Sequence, residues 1–201
     1  MQSPFAAFRA IAVSLLLIPI AFPCTGQHTA LTAPRNFAYI TARAGTIVHG
    51  NVISARMEKH PQFSNLNTVV VTLRVKETLK GKTGETFTFR QYMPGISGHF
   101  KTDGYRKGEE LLLLLNPPSR YGLSSPVGLE QGRFRILREP NGSELAVNGN
   151  ANTGLFRGME QKASTMALSK SAVRLMKQHQ QGPVPLQELR EIIVQLTHST
   201  K

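Results

Sequence analysis

The fold is read from Thr68-Val-Val-Val-Thr-Leu-Arg-Val-Lys-Glu-Thr-Leu-Lys80, with Gly81-Lys-Thr-Gly84 and Glu85-Thr-Phe-Thr-Phe-Arg-Gln-Tyr92 behind it. Successive side chains of a strand point to opposite faces. Val69, Val71, Leu73, Val75 and Leu79 fall on one face, and Thr68, Thr72, Arg74, Lys76, Thr78 and Lys80 on the other, with only Val70 and Glu77 out of step. That pattern predicts a long, half-buried strand. In the second run Phe87 and Phe89 oppose Thr86, Thr88 and Arg90, and the short Gly-bounded connection makes the two runs a β-hairpin. The pair is longer than a small flat sheet needs, which points to a barrel. Glu77 then reads as a rim or bulge position where the strand leaves the core.

Upstream of the hairpin, Phe37, Ile40 and Ala44 recur at helical spacing and predict a short helix ended at Gly45, its apolar face resting on the barrel. Thr46-Ile-Val-His-Gly-Asn-Val-Ile-Ser54 is a β-branched run in which Gly50 predicts a bulge or a close backbone approach. Residues 56–67, with Pro61, read as a polar loop. Downstream, residues 93–104 are Gly-rich without periodicity and predict a long surface loop. The five leucines 111–115 predict a strand buried on both faces, because so short a run makes a poor helix. Glu109 and Glu110 before them read as its solvent-exposed start. Phe134 and Ile136 alternate with Arg133 and Arg135, Pro140-Asn-Gly-Ser143 signals a turn, and residues 145–147 pair back as a second hairpin.

The last third is more polar. Residues 148–158 read as a loop, and Met159, Ala163, Met166, Val173 and Met176 form a weak helical stripe. Pro185 suits a first helical position, and Leu186, Leu189, Ile192, Ile193 and Leu196 form an apolar face against Gln187, Glu188, Arg190, Glu191 and Gln195. This predicts an amphipathic helix docked on the barrel.

Arg9, the apolar run 10–18 and the small residues 24–26 have the pattern of a secretory signal peptide, too short to span a membrane. Export to the periplasm or the medium is the expectation, with no transmembrane segment in the mature chain. Lipidation at Cys24 is not expected, because Pro23 stands where such processing wants a small residue. Cys24 is the only cysteine, so once the leader is removed no disulfide can form and a hydrophobic core must hold the fold. Lys and Arg exceed Asp and Glu by 24 to 12. That balance suits an acidic partner, an unknown protein or an anionic envelope polymer, but the basic residues are dispersed, as plain solubility charge also is. Nucleic acid is not expected, since Tyr92 is the only outward aromatic near the strand cations.

No metalloprotease, Walker, dinucleotide-binding, nucleophile-elbow or C-x-x-C motif occurs. The six histidines have no partner His at metal-site spacing, so neither a metal nor a cofactor is expected. Ser97, His99 and Asp103 would serve a hydrolase only if their loop held them rigidly together. The better candidates are the outward strand cations Arg74, Lys76, Arg90, Arg133 and Arg135, which a barrel can bring together on an anion.

The series Ala44-Gly-Thr-Ile-Val-His-Gly-Asn-Val52, Thr68 to Gly81 with its V-x-E-x-L-K-G step, Gly84-Glu-Thr-Phe-Thr-Phe-Arg90 and Gly108-Glu-Glu-Leu-Leu-Leu-Leu-Leu115 resembles exported bacterial proteins with a netrin-like OB-type barrel, the barrel of the tissue inhibitors of metalloproteinases. The resemblance covers residues 37–148 and implies a fold, with no activity attached. The inhibitors' N-terminal Cys does not carry over, because Pro23 opposes a cut there and no partner cysteine exists. Residues 93–108 are Gly-rich where OB-type barrels usually place a helix between their third and fourth strands, and the terminal helices of the netrin-like variant fit better.

The expectation is therefore a mainly β protein: a signal peptide (1–26), a linker (27–36), an OB-like (netrin-like) antiparallel barrel of about five strands (37–148), a polar, partly disordered or weakly helical segment (149–183), and a C-terminal helix and tail (184–201). Its expected role is a non-catalytic binding or structural module of the bacterial cell envelope or secretome. The alternatives are a protease-inhibitor-like protein and a hydrolase using the 93–108 loop.

Overall fold

The computed structural model describes residues 33–93 and 104–198. The predicted signal peptide, most of the linker, the Ser97, His99 and Asp103 set and the last three residues lie outside them. The described chain runs α1 (Phe37–Arg43), β1 (Thr46–Lys59), β2 (Asn67–Lys80), β3 (Thr86–Tyr92), β4 (Glu110–Leu115), a 3-10 turn (Leu129–Gly132), β5 (Arg133–Arg138), β6 (Glu144–Asn148), α2 (Glu160–Thr165), α3 (Lys170–Gln178), β7 (Val184–Pro185) and α4 (Leu186–His198).

All the strands join one antiparallel sheet in the order β3-β2-β1-β4-β5-β6-β7. The sheet has seven strands and is not closed: its ladders leave β3 and β7 as edges, so the barrel of about five strands is corrected to an open, coiled sheet. Beside β3 and β4, residues 123–127 make single bridges to each, Arg90 to Leu123 and Leu115 to Pro126, with the Ser124 N–H on the Arg90 carbonyl at 2.8 Å and the Val127 N–H on that of Leu114 at 2.8 Å.

Coiling begins in β1 and β2, whose pairing shifts register at Ile47/Val48, His49/Gly50 and Val52/Ser54. Each shift inserts an extra residue and bends the strand. Gly50 sits at one of them with its backbone against β2: a Cβ there would lie 2.3 Å from the Arg74 carbonyl oxygen, so only glycine fits. Strand β1 runs on to Lys59, which corrects the loop expected from residue 56. There Arg56 and Met57 are exposed, so pairing with β2 rather than burial holds the strand, and no apolar period marks it.

Two cores lie on opposite sides of the sheet. Val48, Val52, Val69, Val71, Leu73, Phe89, Tyr105, Leu111, Leu113 and Leu115 fill the inside of the coil. Ile47, Leu112, Leu114, Phe134 and Ala146 face the helices, where Phe37 meets Phe134 and Phe156 edge-on at 5.9 Å each. Strand β4 is thus buried on both faces, as its leucines predict.

α1 starts at Asn36, whose side chain accepts from the Tyr39 N–H at 3.0 Å, an N-cap that satisfies one of the donors a helix start leaves open. It buries Phe37 and Ile40 as its spacing predicts. The Met159–Met176 stripe is real, with Met159, Ala163 and Met176 buried, but it is divided between α2 and α3, and Ser169 caps α3 by accepting from Ala172. α4 buries Leu186, Leu189, Ile192 and Ile193, while Pro185 pairs with Leu145 just before it instead of opening the helix. No helix among the described residues is long and apolar enough to cross a membrane.

Candidate functional site

Residues opposite one another across paired strands project to the same side of a sheet. Arg56, Val70 and Arg90 form such a row across β1, β2 and β3; Ser54, Thr72 and Thr88 form the next, and Asn51, Arg74 and Thr86 the one after. These rows lie opposite Val71, Leu73 and Phe89, on the helix side of the sheet but away from the helices. Arg74 and Arg90 therefore share a face, joined by Arg56, which the sequence reading placed in a loop. Tyr92, 46% exposed, stands in the Glu58 and Thr68 row at its end. Lys76 reaches the same side, since its amino group lies 2.5 Å from Glu110.

Arg133 and Arg135 are elsewhere. They oppose Leu113 and Leu111, which puts them on the side of the inner core. Arg133 donates to both oxygens of Glu130 at 2.7 Å and lies over the Tyr105 ring at 5.0 Å. The predicted cations are thus split, three on the outer face and two on the inner side.

The outer face is built around carboxylates. Arg90 donates to Glu58 at 3.0 Å and to the Thr68 hydroxyl at 2.7 Å, and Arg56 pairs with the same carboxylate. The Arg56 and Arg90 hydrogen bonds hold the Glu58 carboxyl below its ordinary value. Glu110 is not the solvent-exposed strand start expected of it. Its side chain is 9% exposed and takes His49 at 2.8 Å, Lys76 at 2.5 Å and Arg138 at 2.8 Å, while Arg138 also reaches Glu144 at 3.1 Å. Burial by itself raises the Glu110 pKa; hydrogen bonds from Lys76 and His49 and the charges of Lys76 and Arg138 outweigh it, so the carboxyl is lowered. A carboxylate held charged this way is a strut between β1, β2, β4 and β5, and is poorly suited to donate a proton.

A groove of about 860 Å³ runs between the β5–β6 turn, the end of β2 and α4, with Glu77, Glu139, Glu144, Glu188 and Glu191 along it. Arg190 pairs with Glu77 at 2.6 Å, and Glu191 accepts from the Ser169 hydroxyl at 2.7 Å and from its N–H. Among the described residues no group of His, Cys, Asp or Glu is placed to hold a metal ion.

Comparisons with protein-family models, curated proteins and solved structures gave no match.

Proposed function

We propose that this protein is an exported, non-catalytic binding module of the bacterial envelope or secretome that recognises an anionic polymer or an acidic protein surface through the outer face of β1, β2 and β3. The observation that carries this reading is the convergence of Arg56, Arg74, Lys76 and Arg90 on one side of a sheet built from strands. Arg74 and Arg56 are exposed, and Glu58 and Glu110 fix Arg90 and Lys76 in place without cancelling the excess of cations. Pre-set guanidinium groups bind a polyanion at a smaller ordering cost than mobile ones. The netrin-like, OB-type relationship belongs to the same proposal. Residues 123–127 bring the edge strand β3 close to β4 without closing the sheet.

The test is salt-dependent retention on an immobilised anionic polysaccharide. Arg74→Ala is expected to lower the salt needed for elution, while Arg135→Ala, which removes the same charge on the other side of the sheet, changes it much less. Equal losses from both variants would reduce the binding to net charge and remove the assigned face.

A further inference from the structure

The arginines of the outer face stand at two levels. β2 and β3 pair without a register shift from Thr68 to Arg74, so their outward side chains keep even rows. Arg56 and Arg90 share one row with Val70, Arg74 stands two rows away, and Ser54, Thr72 and Thr88 make the row between. From Val70 to Arg74 the rise of a strand sets the two arginine rows about 13 Å apart. Glu58 pairs with both Arg56 and Arg90 and leaves that row a net positive charge, and Arg74 is exposed.

Between the two levels the surface is made of hydroxyls. Thr72 and Thr88 bond each other at 3.0 Å, and because a hydroxyl offers one donor and two acceptors, both keep hydrogen-bonding capacity beyond that contact. Asn51 adds an amide in the Arg74 row. Among the described residues these three rows of β1, β2 and β3 carry neither a carboxylate nor an exposed large apolar side chain; Tyr92, one row beyond Arg90, is the nearest. Protein partners are usually anchored at the centre of an interface by aromatic and aliphatic side chains in desolvated pockets. A centre of hydroxyls with guanidinium groups at either end suits a ligand that is itself rich in hydroxyls and acidic at intervals, and the apolar face of Tyr92 offers a sugar ring a platform.

Resting on the assignment of this face as the binding surface, we infer that its ligand is a linear acidic polysaccharide laid along β2, with acid groups on the Arg56–Arg90 row and on Arg74 and sugar hydroxyls on Thr72 and Thr88 between them. The face then selects for length as well as charge. One or two sugars reach a single arginine row, and a longer chain reaches both.

Calorimetric titration of the full chain with galacturonic acid oligomers, from the monomer to the hexamer, tests this. Affinity should rise about tenfold or more between the dimer and the tetramer, where the second arginine row comes within reach, and little from there to the hexamer. Arg74→Ala, at an exposed position, should bring the tetramer down to the affinity of the dimer, whereas Arg135→Ala on the other side of the sheet should leave the whole series as it is. Glutamate oligomers of the same length and charge should bind more weakly than the galacturonates at the same ionic strength. Equal affinity for dimer and tetramer, or glutamate oligomers that bind as tightly, would overturn the inference and leave the basic face standing. Failure of every anionic ligand, short or polymeric, would remove the face as well.

Discussion

Glu110→Gln is the most informative single change. The substitution keeps the size of the side chain and one acceptor oxygen but removes the charge that holds His49, Lys76 and Arg138 together. The three contacts are not equal. Arg138 is 61% exposed at its side chain, and a solvated pair of that kind contributes at most about 1 kcal/mol. Lys76, at 37%, is partly screened as well. His49 is only 6% exposed, so weakening its bond leaves a polar group away from water, at about 1–3 kcal/mol. Together these place the loss at about 2 kcal/mol at neutral pH, well under the 3–5 kcal/mol of a fully buried pair that is broken.

The same carboxyl sets a pH dependence. Its folded-state pKa lies below the ordinary 4.5, so the unfolded chain takes up its proton first as the solution is acidified. Its contribution is fully present above that ordinary value and is lost as pH falls through the lowered folded one. Urea unfolding of the two proteins should differ by about 1 M in midpoint at pH 7, for a slope of about 2 kcal/mol per molar, and the gap should narrow steadily below the ordinary value. Equal midpoints at pH 7, or a gap unchanged by acid, would refute the view of Glu110 as a charged strut.

Two further changes test the fold itself. Gly50→Ala places a methyl 2.3 Å from the Arg74 carbonyl oxygen, a backbone atom that cannot rotate away, and should cost at least about 2 kcal/mol in the same unfolding assay. Leu112→Ala and Leu113→Ala should each cost about 2–5 kcal/mol because the two residues belong to different cores, whereas Leu137→Ala, 41% exposed, should cost well under half as much by thermal unfolding.

What was readable in the sequence is what period and burial write into it. Val69, Val71 and Leu73 alternate because one face of β2 meets the inner core, and β4 is all leucine because both its faces are covered. The helical spacing of Phe37 and Ile40, and of Leu189, Ile192 and Ile193, likewise follows from one packed side. Arg56 escaped this logic, since a strand segment that buries little carries no apolar signal. So did Leu79. Counting by twos puts it with Val75, yet the register shifts between Val75 and Lys80 turn it to the helix core. Glu110 could not be read at all, because His49, Lys76 and Arg138 come from three other strands and meet only once register is set.

The V-x-E-x-L-K-G step can now be given a physical reason. Val75 packs at the margin of the inner core, and the shift after it carries Glu77 to the helix side, where it pairs with Arg190 of α4. Leu79 enters the helix core, and Lys80 caps the last carbonyls of α1. Gly81, at a φ of 85°, turns the chain where a side chain would press on the Gly45 carbonyl at 3.0 Å. Val75, Glu77, Leu79 and Lys80 thus each fasten a different neighbour to the end of one strand, and Gly81 turns the chain away. The step therefore marks an architecture, and the proposed recognition of an anionic partner rests on the cations of the outer face instead.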